Sequence, residues 1–361
     1  MVLKKLAKTI SRAAIRAVCD RRLTKKHLGS EPHILVVRWD NKLGDAIVSS
    51  FFYREAKKLN AQVTVLTTPE LEPLYTKDFG VEHIIATSPN PSFSELRTIA
   101  EQLEQVDAVV HLVGRVQPSE ILFFYLLQPV LIYSLDDALL CVNRKFNART
   151  AGQSFALKYE AVLRDLGLKS VNKEYVIPWP ENPERLVDAP EILFNPYASR
   201  PDKSISHEKS LELLCNVAKK YPQQNIGVLS NNSDRPKAEK LVEEINLSNV
   251  FALSDVDTPQ DVAFLMSQVE VVISVDTAIV HLAVGLGKKL IAIYPYTKEP
   301  NPWLPPLCDN VVVVLSYHDT SRYDRTGVKN MNLFSSLELM SALTPWIEFE
   351  KRQLNVDLVT Y

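Results

Sequence analysis

The chain has 361 residues, 46% of them hydrophobic and 23% charged, with a formal net charge of -2. That length and mixture imply a soluble globular protein of two domains, and the near-neutral balance excludes a global field drawing it to nucleic acid or membrane, so an anion site has to be a local cluster. Cys19, Cys141, Cys215 and Cys308 form no CxxC, which implies neither a zinc site nor a disulfide framework and fits a reducing cytosol, and no stretch is long and apolar enough to span a bilayer.

The N-terminus departs from this picture. Between Met1 and Leu28 nine lysines and arginines stand against one acid, Asp20, interleaved with Leu3, Leu6, Ile10, Ala14 and Val18 at roughly helical spacing. An apolar core of the kind a secretory signal needs is missing. Two readings fit: a basic amphipathic helix on an anionic membrane surface, or a helix docked on its own domain or frayed from it.

After Ser30-Glu31-Pro32 the pattern turns to alternation. Ile34-Leu35-Val36-Val37 reads as a strand buried on both faces, Trp39 to Gly44 as a loop, and Asp45 to Leu59 as a helix. Val63 to Leu66 gives the next strand, so the segment is a βαβ unit. Ile84-Ile85, the helix Phe93 to Leu103 and the strand Ala108 to Leu112 continue it. The prolines Pro178, Pro180, Pro183 and Pro190 mark a linker. A second series follows, with strands at Ile192–Phe194, Asn225–Leu229, Val250–Leu253, Val271–Ser274 and Leu290–Ile293. Helices at Ser206–Lys220, Asp234–Ile245, Thr258–Met266 and Thr277–Leu286 separate these strands. Repeated βα units demand parallel sheets covered by helices. The expectation is an α/β protein of two Rossmann-like lobes, 31–178 and 191–332, joined by a linker at 179–190. A basic extension at 1–30 precedes them and a helix and tail at 333–361 follow. The default ligand site is a cleft at the carboxyl ends of the strands.

Three strand-to-helix turns carry candidate chemistry. In Trp39-Asp40-Asn41-Lys42-Leu43-Gly44-Asp45, Gly44 permits a tight turn. Asp45 could accept the proton of an attacking hydroxyl. Capping the helix is the simpler role for that residue, and the absence of G-x-G-x-x-G disfavours a dinucleotide site. Asn195 to Ser204 is polar and basic, and Lys203 or Arg200 could bind a phosphate or simply be solvated. In Ser274-Val275-Asp276-Thr277-Ala278-Ile279-Val280-His281, Asp276 and Thr277 would open a helix whose free N–H groups favour an anion, with His281 about one turn on. That histidine could equally be packed and satisfied by a carbonyl. Asp255-Val256-Asp257 resembles a metal-binding DxD, but Thr258-Pro259-Gln260-Asp261 reads as a helix cap with a first-turn acid.

Together these turns resemble glycosyltransferase family 9, the ADP-heptose:lipopolysaccharide heptosyltransferases. Asn41-Lys42-Leu43-Gly44-Asp45 is similar to the family's LGD element, and Asn195-Pro196 followed by Lys203 to its phosphate-binding loop. Val272 to Ala283 resembles its VSVDTGxxHLA segment, and Tyr294-Pro295 with Trp303-Leu304-Pro305-Pro306 its following loop. The likeness spans residues 33 to about 345 and looks closest to members adding a side-branch or outer-core heptose.

It implies a GT-B fold and inverting transfer of heptose from ADP-L-glycero-D-manno-heptose to the lipopolysaccharide core. It implies neither a DxD metal nor another cofactor, no nucleic-acid partner, and peripheral placement on the cytoplasmic face of a bacterial inner membrane. By resemblance Asp45 would be the general base. Lys203, Arg200, Asn231, Asp276, Thr277, Ala278 and His281 would line the donor site, with Lys42, Arg144 and Lys145 on the acceptor side. Ala278 stands where the family usually has Gly, Ile205-Ser206 where it has Trp-Pro, and Asn231-Asn232 where it has an acid for the ribose. A same-fold transferase using another nucleotide sugar, such as UDP-N-acetylglucosamine, or a non-catalytic binding subunit are the alternatives.

Overall fold

The computed structural model describes residues 13–24, 27–103, 105–183, 189–254, 256–317 and 330–357. The chain divides into two compact units between Val176 and Ile177.

The first unit opens with helix α1 (residues 13–19). It continues through β1 (His33–Arg38), α2 (Leu43–Ala56), β2 (Gln62–Thr67), β3 (His83–Ala86) and α3 (Phe93–Gln102). Then come β4 (Ala108–His111), α4 (Pro118–Leu127), β5 (Leu131–Ser134), β6 (Arg144–Lys145), α5 (Phe146–Arg149) and α6 (Phe155–Asp165). Its six strands lie in the order β3-β2-β1-β4-β5-β6, and every pairing is parallel. All six residues of β1 are buried, as an apolar run covered by helices on both faces requires. The chain leaves β1 toward β2 on one side and reaches β4 on the other, so β1 and β4 frame a topological switch point.

The sequence left the start of the chain open between a membrane helix and a docked one. Part of that segment, residues 1–12 and 25–26, lies outside the described residues; the rest is docked. Cys19 is buried in the first unit's core, with Ile15, four residues earlier on α1, and Leu23, beyond the end of the helix, packed partly buried against it. Asp20 Oδ1 accepts from Cys141 N at 2.9 Å, and Arg16 Nη2 donates to Ala138 O at 2.5 Å.

The second unit runs β7 (Ile192–Asn195), a 3-10 turn (Pro201–Lys203), α7 (His207–Lys220), β8 (Ile226–Val228), α8 (Arg235–Ile245) and β9 (Val250–Ala252). It ends with α9 (Pro259–Gln268), β10 (Val271–Val275), α10 (Ala278–Gly285), β11 (Lys289–Pro295), β12 (Val311–Ser316) and α11 (Ser336–Asp357). The sheet order is β12-β11-β10-β7-β8-β9, again parallel, with its switch point between β7 and β10. Leu339, Leu343 and Ile347, at helical spacing on α11, close this unit's core beside Val271, Ile273 and Val314. In β8 a side chain on Gly227 would stand 2.8 Å from Pro190, so the strand passes that residue only as glycine.

Candidate active site

The first unit's switch point gathers its charge around one arginine. Arg38 is the last residue of β1, and the turn after it places Asp40, Lys42 and Asp45 within reach. Arg38 Nη2 lies 3.2 Å from Asp40 Oδ1 and 3.2 Å from Asp45 Oδ2, while Lys42 Nζ stands 4.0 Å from Asp45. The left-handed residue of the turn is Asn41, at φ 47°, not Gly44, which sits inside the first turn of α2. Asparagine tolerates that region because its short polar side chain bonds locally, and here Asn41 Oδ1 accepts from Thr68 Oγ1 at 3.2 Å. Lys42 occupies the N-cap of α2 with no side-chain capping bond. Asp45, in the first helical turn, faces the two cations.

Burial pushes the Asp45 carboxyl up to about 6, with Arg38 pulling it down, Asp40 pushing it up and Lys42 pulling it down. A carboxylate with this proton affinity is ionised at neutral pH and still basic enough to accept a proton from a sugar hydroxyl in the transition state. Beneath it Arg38 is buried; desolvation opposes its charge, but Tyr159, Asp40 and Asp45 outweigh that and hold the guanidinium protonated.

One strand over, His111 ends β4. Its Nε2 lies 3.2 Å from Glu120 Oε1, and its ring meets Trp39 edge-on at 6.0 Å. Burial raises the Glu120 carboxyl, but His111, the Gln117 backbone N–H and the Trp39 side chain together bring it below the ordinary range. The pair packs against Trp39, the residue that opens the turn leading to Asp45.

In the second unit, the ends of β7 and β10 converge. Asn195 Nδ2 donates to Ser274 Oγ at 2.9 Å and to Thr277 Oγ1 at 3.1 Å. Thr277 is the N-cap of α10, and its hydroxyl accepts from Ile279 N. The N-terminus of the helix is thereby held at the switch point, where its dipole favours an anion. Lys203 reaches across from the 3-10 turn and donates to Asp276 Oδ2 at 2.7 Å. His281, one turn into α10, is buried with an unpartnered Nδ1 and packs edge-on against Trp303 at 6.3 Å. Burial drives its pKa down to about 4, Asp276 pulling up and Lys203 down, so the ring is neutral at physiological pH.

The structure thus brings Lys203, Asp276, Thr277, Ala278 and His281 together. The other expected donor residues lie differently. Arg200 is held by Asp202 through two bonds of 2.9 and 2.7 Å. Asn231 closes the turn before α8, donating to Asp234 Oδ2 at 3.1 Å. Among the acceptor-side candidates, Lys42 joins the Asp45 cluster, whereas Arg144 is paired to Asp165 at 2.8 Å and Lys145 is exposed on β6. Asp165 also takes Arg149 at 2.6 Å. Thr258 and Asp261 form a full capping box on α9, and Asp257 pairs with Arg235; Asp255 lies outside the described residues. No cluster of metal-ligating side chains occurs among the described residues. No described helix is long and apolar enough to cross a membrane.

Sequence reasoning missed Arg38, Glu120 and His111. The signal for Arg38 was present, as a charged residue closing an otherwise apolar buried strand at a carboxyl edge. Glu120 carried only the mark of a first-turn acid, and His111 that of a strand residue.

The model of glycosyltransferase family 9 (heptosyltransferase) matches residues 96–332, well over half of the chain. Comparison with curated proteins by sequence finds no match. Among solved structures, a family 9 glycosyl transferase from Veillonella parvula superposes with TM-score 0.66 at 15% identity, covering 89% of this chain and 99% of that one. E. coli ADP-heptose lps heptosyltransferase II superposes with TM-score 0.60 at 15% identity over 88% and 99% of the two chains. E. coli heptosyltransferase WaaC with ADP gives 0.59 at 16% over 87% and 99%. These likenesses show the GT-B-like α/β fold, and the family model shows the rest: the chain is a glycosyltransferase and belongs to family 9, the heptosyltransferases.

Proposed function

We propose that the enzyme moves heptose from ADP-L-glycero-D-manno-heptose onto a lipopolysaccharide core oligosaccharide with inversion, at the cytoplasmic face of a bacterial inner membrane. The observation that carries the reading is Asp45, a desolvated carboxylate at a switch point, bonded to cations instead of to the helix it opens. In the reaction Asp45 takes the acceptor hydroxyl's proton as that oxygen attacks the anomeric carbon from the face opposite ADP. The C–O bond to the diphosphate breaks as the new glycosidic bond forms. Lys203 and the N-terminus of α10 stabilise the charge on departing ADP, which is the role positive charge and oriented N–H groups serve in a transition state. Neutral His281 offers its Nδ1 to the same ligand.

ADP and an ADP-heptose analogue are bound in the solved WaaC structures, which supports an adenine nucleotide sugar as donor. Product analysis with ADP-heptose and truncated lipopolysaccharide acceptors tests the reaction. A thermal-shift panel of ADP-heptose, ADP and UDP-sugars tests the donor, since a ligand selective for the folded state raises its stability. Stabilisation by UDP-N-acetylglucosamine alone, with no transfer from ADP-heptose, would replace this donor assignment.

A further inference from the structure

Helix α1 is apolar on both sides. Its inner face, Ile15 and Cys19, is spent on the first unit's core. A helix lying on a protein surface ordinarily turns polar residues outward, but α1 exposes Ala13, Ala14, Ala17 and Val18. The two bonds from Arg16 to Ala138 and from Asp20 to Cys141 hold this helix alongside residues 138–141. That second segment also leaves a large apolar side chain in solvent. Val18 is 54% exposed and Leu140 56%.

Two exposed cations, Arg21 and Arg22, follow α1 in the chain. In sequence the first 28 residues hold nine lysines and arginines and one acid, Asp20, which is buried and bonded inward. The acids of the neighbouring loop are half-buried and bonded to backbone N–H groups. Asp136 accepts from Val116 N at 3.0 Å, and Asp137 from Asn147 N and Ala148 N at 3.1 and 2.9 Å. No described acid pairs with Arg21 or Arg22, both exposed.

We infer that the outer face of α1 together with Leu140 is a membrane-docking surface, seating Val18 and Leu140 at the headgroup boundary of an anionic bilayer while Arg21 and Arg22 engage lipid phosphates. A second copy of the chain would bring two such basic surfaces together, and like charge opposes it. A nucleic acid would take the arginines but has no use for exposed Val18 and Leu140. An anionic bilayer takes both, apolar side chains below and cations at its surface. The inference deepens the membrane-side placement proposed above and rests on the transferase reading only for what the docked enzyme would act on.

The test is co-sedimentation of the full chain with vesicles of phosphatidylcholine alone and of phosphatidylcholine with phosphatidylglycerol. Binding should require the anionic lipid and fall roughly tenfold as salt shortens the reach of the surface potential. The Val18→Ser, Leu140→Ser pair and the Arg21→Gln, Arg22→Gln pair should each lower binding about tenfold. The circular dichroism spectrum should not change, because all four side chains are in solvent. Three results overturn the inference: no binding to anionic vesicles, binding that ignores the Val18 and Leu140 pair, or heparin binding equal to vesicle binding and equally blind to that pair. Heptose transfer to a soluble truncated acceptor and stabilisation by ADP, measured on the same variants, should stay at parental level. Their loss in the parent protein would count against the enzymatic reading and leave the docking result standing.

Discussion

Asp45 Oδ2 lies 3.2 Å from Arg38 Nη2, and yet its carboxyl titrates near 6, because burial outweighs the cation beside it. The pair is a balance: the guanidinium keeps the carboxylate ionised at neutral pH, and desolvation keeps it basic.

Asp45→Asn should reduce transfer by about 10²–10⁴-fold, the usual worth of general-base assistance. Donor affinity, read by ADP-induced stabilisation, should stay near that of the parent. A helix-capping role predicts near-normal turnover instead, since asparagine caps as well as aspartate. Turnover close to the parent's would send the search for the base elsewhere.

The acid limb of kcat/KM should fall away below about pH 6, following the Asp45 carboxyl. Arg38→Gln removes the cation that pulls this value down, so the limb should move upward by roughly one pH unit, and Arg38→Lys should restore most of the parental profile. An unmoved limb in the Gln variant would separate Arg38 from the titration that controls the rate.

Stability should respond to pH in opposite senses at two positions. Asp45 has a folded value near 6 against about 4 when unfolded, so the native state holds the extra proton between them. Stability from this group is greatest below about pH 4 and declines as pH rises to about 6. Asp45→Asn should therefore gain on the parent as pH rises through that window. His281 is the reverse, near 4 when folded against about 6.5 unfolded, so the unfolded chain binds more protons and stability declines as pH falls from about 6.5 to about 4. His281→Asn should gain on the parent as pH falls. Melting curves from pH 4 to 8 check both signs, each difference being of order 1–3 kcal/mol.

Lys203→Ala should cost both affinity and stability, because it strands the part-buried Asp276 carboxylate, which the ammonium otherwise meets at 2.7 Å. The stability loss should be about 1–3 kcal/mol. Adding Asp276→Asn should recover most of it, since the stranded charge is gone, without restoring ADP affinity. Recovery of both in the double variant would show that the pair is structural and the lysine no ligand to the donor.

Trp39→Phe tests the contact that Glu120 and His111 make with this residue. It keeps the ring and removes the indole N–H that helps hold the Glu120 charge. Turnover should fall by about tenfold, one charge-assisted bond's worth, with donor affinity unchanged. Parental kcat would leave the pair with a purely structural role.

The alternation of βα units was legible because period alone separates a buried strand from an amphipathic helix. Ile34 to Val37 read as a doubly covered strand from its short, β-branched apolar run, and Thr258 to Asp261 announced its capping box by spacing. Where period is silent the reading failed. Residues Pro118 to Leu127 are apolar all round, so no face marked α4, and the whole region from 113 to 177 went unread although it supplies β5, β6 and α6. The turn before Asp45 looked like a glycine turn, but Asn41 takes the left-handed position, since the helix begins early enough to enclose Gly44.

The site was legible only as a set of residue types at strand ends. Whether Lys203 meets solvent or Asp276, 73 residues away, depends on β7 and β10 lying side by side, and strand order is fixed by packing, not by local pattern. The same holds for Asp20, which reads as one acid lost among basic residues until the fold carries it to Cys141, 121 residues on. Local sequence sets which groups can carry charge; burial and neighbours, which decide what that charge does, exist only once the chain has closed on itself.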